Sequence, residues 1–216
     1  MFEEGGLPEI EFRAIYGAMT IGGIPKPVWR AYQLLHEHAG QQRVATSVSQ
    51  PTVANSSAMA PVVAAFSTMN ATEGLSSLRV FLSFWVSRTR SLGGINLPQR
   101  CRCGQGNPDA ATNQSLVQAD RSVTVVIAHS AAEAAALGSA TLHVVDSTHA
   151  NPLQKWKELG SPDVPNATAR AALLAASEYG TATAAVKQIN STASAVTVAM
   201  GPDSAVVLAL SPAAGR

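Results

Sequence analysis

A change of hydrophobic period at Gly40 limits the architectures open to this chain more than any other feature. Ahead of it, Val28, Ala31, Tyr32, Leu35 and Ala39 recur at helical spacing, the mark of one amphipathic helix with an apolar face. Pro25 and Pro27 punctuate its start, with Pro27 suited to a first helical turn, and Gly40 suits its end. Beyond Gly40 the apolar residues alternate. Segments 43–49, 61–68, 78–86, 122–129 and 140–146, rich in Val, Phe and Thr, read as strands. One helix followed by a long strand series excludes a helical bundle and an alternating α/β fold. It predicts a mainly β chain, a β-sandwich hung from a helix.

The later segments refine this. Asn151-Pro152 offers an N-cap and a first-turn proline for a short helix over 153–159, closed by Gly160-Ser161-Pro162. Asn166 can cap a second helix over 167–179, stopped at Gly180. The chain then returns to strands at 183–189, 193–200 and 204–210, and Gly201-Pro202-Asp203 between the last two predicts a hairpin. Residues 87–119 combine Gly, Pro, Arg, Asn and Gln without a sustained period and read as a disordered surface insertion.

Charged residues are 13% of the 216, with a formal net charge of +1, which gives no electrostatic case for nucleic acid or an anionic membrane. No apolar run reaches the ~18 residues that span a bilayer. Five sequons, at Asn55, Asn70, Asn113, Asn166 and Asn190, exceed the roughly one match expected by chance. They predict a chain made for the secretory route and glycosylated there, although the N-terminus has no signal-peptide pattern. Cys101 and Cys103 stand too close to bridge each other without strain, and read as free thiols. No cofactor is implied, because phosphate-loop, dinucleotide and nucleophile-elbow motifs are all missing.

Two stretches together resemble glycoside hydrolase family thirty-nine, on its β-xylosidase side. The first is Phe2-Glu3-Glu4, followed by Gly23-Ile24-Pro25-Lys26-Pro27 and the helix containing Arg30-Ala31-Tyr32-Gln33-Leu34-Leu35. The second is His149-Ala150-Asn151-Pro152, then Trp156, Glu158-Leu159-Gly160-Ser161-Pro162 and Ala176-Ser177-Glu178. The closing Pro202-Asp203-Ser204 is similar to the family's ending. The resemblance covers about half of the chain and is poor over 47–119.

It implies a (β/α)8 barrel followed by a β-sandwich, with functional residues at the C-terminal ends of barrel strands. Residues 1–42 would be a barrel remnant, the end of its eighth strand and its eighth helix, and 43–216 the sandwich. A retaining glycosidase needs two carboxyl groups about 5–5.5 Å apart. The family's lie on earlier strands in Asn-Glu contexts, and this sequence contains no Asn-Glu pair. Glu3 and Glu4 cannot replace them, because neighbours on a strand point to opposite faces. No catalytic residue is therefore expected here. The resemblance instead implies that Glu3 and Glu4 bind sugar hydroxyls at the rim of the substrate pocket. Arg13 stands where the family has a histidine and could donate to the same sugar. The expected partners are a xylose-type sugar or xylo-oligosaccharide, and a barrel or protein partner covering residues 1–40. The alternatives are a non-catalytic sandwich that binds carbohydrate or protein, and an α-L-iduronidase-type member of the same family.

The remaining candidates carry less. His36 and His38 diverge on a helix and do not predict a metal site. His129, His143 and His149 are scattered over strand ends. Trp29, Trp85 and Trp156 could stack on a sugar, but Trp156 reads as a hydrophobic anchor to the sandwich.

Overall fold

A computed structural model describes residues 11–12, 17–49, 62–85, 89–92, 95–98, 120–134 and 137–212. The strands are β1 (Gln42–Val44), β2 (Val62–Met69), β3 (Arg79–Trp85), β4 (Thr89–Leu92), β5 (Ile95–Pro98), β6 (Arg121–Ala128), β7 (Leu137–Val145), β8 (Gly180–Ala185), β9 (Lys187–Asn190), β10 (Ala193–Met200) and β11 (Ser204–Pro212). Among the described residues four α-helices accompany them, α1 (Pro27–His38), the single turn α2 (Ala131–Ala134), α3 (Pro152–Glu158) and α4 (Ala167–Ala176), with a 3-10 turn at Gly74–Ser77.

Six strands form an antiparallel sheet in the order β1-β2-β3-β11-β7-β8, and three form a second sheet in the order β6-β10-β9. Alternate residues of the central strands face between the sheets: Val80, Leu82 and Phe84 from β3, and Val206, Leu208 and Leu210 from β11. Val196, Val198 and Met200 of β10 meet them from the smaller sheet. The chain is mainly β, as the alternation predicts, with α3 and α4 inserted between β7 and β8 as the helical excursion.

The last two strands do not make the expected hairpin. β10 pairs with β6 and β9, whereas β11 pairs with β3 and β7, so Gly201-Pro202-Asp203 carries the chain from one sheet to the other. The physical reason lies in β11, where Val206, Val207, Leu208, Ala209 and Leu210 are all buried. A strand apolar on both faces needs cover on both, which the centre of the larger sheet supplies and a two-strand ribbon does not. Segment 183–189 likewise divides into β8 and β9, one strand in each sheet, turning the corner at Val186. Within 87–119, expected to be irregular, β4 and β5 pair as a two-stranded ribbon. Residues 99–119, with Cys101 and Cys103, lie outside the described residues.

The outer face of the larger sheet is covered by α1. Leu34 packs with Phe81, Val145, Ala150 and Val207, joined by Leu35, Phe66 and Tyr179. The contact flank is rotated from the expected one. Val28 and Tyr32 are 45% and 63% exposed, whereas Arg30 and Leu34 are buried. Arg30 sets this rotation, because its guanidinium reaches the C-terminal end of α4 and must turn inward to do so. At the far end of α1, Gly40 passes so close to β2 that a Cβ would lie 2.7 Å from the Met69 carbonyl carbon. Its N–H donates to Thr68 Oγ1 at 2.8 Å, which ties the helix exit to the sheet. Among the described residues no helix is long and apolar enough to cross a membrane.

Candidate functional site

Of the residues that carry the resemblance, those at 23–35 and 149–178 meet at one joint. There the segment ahead of α1, α1 itself and the α3–α4 excursion meet. Lys26, at the N-cap position of α1, makes no side-chain cap bond. The helix is entered instead through a tight backbone turn: Thr20 N–H donates to the Ile24 carbonyl, and Gly23 N–H to the Thr20 carbonyl, both at 2.9 Å. Ile24 is fully buried against Trp156 and Leu173, with Phe12 beside them. The Phe12 and Trp156 rings stand 5.6 Å apart. Trp156 is thus an anchor, but it holds the helical excursion to the segment before α1 rather than to the sandwich sheets.

Both capping asparagines act as their sequence positions predict. Asn151 Oδ1 accepts from Gln154 N–H, and Asn166 Oδ1 accepts from Ala169 N–H at 2.9 Å. The Gly160-Ser161-Pro162 stop folds back on α3: Ser161 N–H donates to the Trp156 carbonyl, and Trp156 Nε1–H to the Pro162 carbonyl, both at 2.9 Å. At the end of α4, Arg30 Nε donates to the Ser177 carbonyl at 2.8 Å, Nη2 donates to Ser177 Oγ, and the same nitrogen bonds Glu178. A guanidinium on the last carbonyls of a helix also sits at the negative end of its dipole. Ala150 N–H donates to the Glu178 carbonyl at 2.9 Å, while the His149 ring covers Gly180, where a Cβ would overlap it. Asp146 Oδ1 gathers the N–H groups of Thr148 and His149, each at 2.7 Å. Burial works to raise the Asp146 carboxyl, but these hydrogen bonds outweigh it and leave the group below the usual range.

Two further groups lie at the joint. His38 and His143 stack with ring centroids 4.2 Å apart, and His38 Nε2 and His143 Nδ1 are buried without a hydrogen-bond partner. Burial first, and then the charge of Arg79, lowers the His38 imidazole; burial, His38 and Arg79 lower His143. Next to them Tyr179 donates to Glu37 Oε2 at 3.2 Å. Burial and the neighbouring Glu37 charge raise this phenol. The second group is a cavity beside the Thr20–Ile24 turn, where Glu11 is buried and Arg170 donates to the Gly22 carbonyl. Sequence reasoning missed Glu11 and Arg170. The one available signal was an acid set between Ile10 and Phe12, a charge inside an apolar run.

The expected sugar-binding residues Glu3, Glu4 and Arg13 lie outside the described residues, as do sequon residues Asn55 and Asn113. Of the other sequons, Asn166 caps α4, Asn190 Oδ1 accepts from Thr192 N–H and Oγ1, and Asn70 Nδ2 donates to Glu73. Among the described residues no group of three or more His, Cys, Asp or Glu could hold a metal ion.

No family model and no curated protein matches the chain. Solved structures do. A GH39 enzyme from Xanthomonas axonopodis pv. citri superposes on 98% of this chain with a TM-score of 0.57 at 18% identity. A monomeric beta-xylosidase from Caulobacter crescentus CB15 superposes on 97% at a TM-score of 0.53 and 18% identity. A GH39 beta-xylosidase from Caulobacter crescentus gives 98%, 0.53 and 16%. The matches span only 36%, 35% and 34% of those chains. The chain therefore has the fold of the C-terminal part of these enzymes, about a third of their length.

Proposed function

We propose that this chain is the sandwich-bearing C-terminal part of a retaining, β-xylosidase-type glycoside hydrolase, acting in O-glycosyl bond hydrolysis only together with a catalytic barrel. The observation that carries this reading is the superposition, which takes in α1 and both sheets rather than the sandwich alone. The ordered motifs support it from the sequence side. In the proposed role the joint of Arg30, Ser177 and Glu178 fixes α1 to the sandwich, so that α1 can serve as the wall on which a barrel rests. Glu3 and Glu4 would then reach the rim of the sugar pocket, each carboxylate accepting hydroxyl hydrogen bonds from a xylose-type ring. Neither would supply the acid or the nucleophile, for which a retaining pair must face each other across the scissile bond.

The test is an assay of the purified chain on an aryl β-xyloside. The expected result is no turnover above buffer. Turnover abolished by Glu3→Gln or Glu4→Gln would overturn the reading, since it would put the catalytic carboxylates in this chain.

A further inference from the structure

The cavity beside the Thr20–Ile24 turn, about 410 Å³, is walled by that turn on one side and by the loop from α3 to α4 on the other. Its polar lining includes Glu11 and Arg170, and Ile21, Ile24 and Pro165 give it apolar walls. Glu11 is only 5% exposed, yet its Oε2 accepts no hydrogen bond. Buried carboxylates in folded proteins are almost always paired or hydrogen-bonded, so this one calls for a donor that none of the described residues provides. Gly22 keeps the way open, since a Cβ there would overlap Glu11 Oε1.

We propose that this cavity is a binding site for a neutral polyhydroxylated molecule, a sugar or polyol. A carboxylate accepts from two adjacent hydroxyls at once. Arg170, whose Nη1 already donates to the Gly22 carbonyl, has further N–H groups to offer the hydroxyl oxygens. The apolar walls suit the C–H face of a ring. Opposite charges on Glu11 and Arg170 disfavour a simple anion and a simple cation alike, while a diol, both donor and acceptor, satisfies both groups. Asp163 also lines the cavity, and its carbonyl accepts the Glu11 N–H at 3.4 Å, which holds the Glu11 backbone against the loop. The site rests on this cavity alone and not on the β-xylosidase reading.

The experiment is a titration of the full chain with D-xylose, D-glucose, glycerol and methylammonium chloride, following the amide shifts of Gly22, Asp163 and Arg170. Saturable shifts with at least one of the three neutral probes are expected, with affinity about tenfold weaker in Glu11→Gln and in Arg170→Gln. Arg170 is an exposed side chain, so its variant keeps the test alive should the Glu11 variant misfold. Binding of glucose or glycerol without xylose would uphold the site equally and would not bear on the β-xylosidase reading. Three results would overturn it: no saturable shift with any neutral probe, shifts with methylammonium alone, or polyol binding that Arg170→Gln leaves unchanged.

Discussion

Arg30 shows how one residue can reverse a pattern. Its place in a helix gives no hint that it is buried, because a long basic side chain is ordinarily solvated. Here it is 8% exposed and binds the end of α4 by three hydrogen bonds, while Gln33 Oε1 accepts from its Nη1 at 2.6 Å. The Ser177 carbonyl and hydroxyl are buried, so truncating Arg30 strands acceptors that water does not reach. Glu178 is largely exposed and re-solvates. Arg30→Ala should cost about 2–3 kcal/mol by urea unfolding. Arg30→Lys should recover less than half of that, because an ammonium cannot reproduce the planar fork. A loss below about 0.5 kcal/mol for Arg30→Ala would show that the joint is held by apolar packing alone.

At the scale of elements, the interface between α1 and the larger sheet carries a pH dependence. His38 sits on α1 and His143 on β7, stacked, with Arg79 adding a third nearby positive group and Glu37 opposing them. Both imidazoles titrate below the ordinary value of 6.5 in the folded chain. As pH falls through 6.5 the unfolded chain takes up protons that the folded one still refuses, so stability drops. It goes on dropping until the lowered folded values are passed. Thermal midpoints should therefore fall as the pH is lowered through 6.5, and His143→Leu should flatten that limb. Glu37 and Asp146, both lowered in the fold, act in a separate window. Their contributions are present above the usual carboxylate values and are lost only in stronger acid. A wild-type midpoint constant from pH 7 to 5 would refute the coupling.

Elements were also where the sequence was most and least legible. The caps at Asn151 and Asn166, the strand positions in 62–85 and 121–145, and the helical excursion follow from local chemistry, and local chemistry is what a sequence displays. The β10–β11 connection did not follow from it, because a turn at Pro202 serves a hairpin and a sheet-to-sheet crossover equally well. What distinguishes them is the uninterrupted Val206–Leu210 run, which asks for cover on two faces. The helix flank was misread for a similar reason. Val28 and Tyr32 share an apolar spacing with Leu35, and only the distant Ser177 and Glu178 decide which flank turns inward. The Glu11 cavity was nearly invisible, since the two groups that define it are far apart in sequence.

For the whole molecule, the larger sheet is a middle layer. One face packs on the smaller sheet through Leu82, Phe84, Val206 and Leu208, and the other carries Phe66, Phe81, Val145 and Val207 beneath α1. Phe66 and Phe81 stack face to face with centroids 4.5 Å apart, an apolar surface no solvated sheet would present. Removing residues 1–40 therefore leaves the sandwich core intact but uncovers this second face. A contiguous exposed apolar patch of that kind drives self-association or dye binding. The shortened chain should keep its β-type circular dichroism, bind a hydrophobic dye several-fold more strongly than the full chain, and elute as oligomers at tens of micromolar. Phe81→Thr in the shortened chain should lower the dye signal, since it takes one of the two stacked rings out of the patch without touching the inter-sheet core. If the shortened chain instead remained monomeric, with dye binding equal to that of the full chain, α1 would not be the cover of this face.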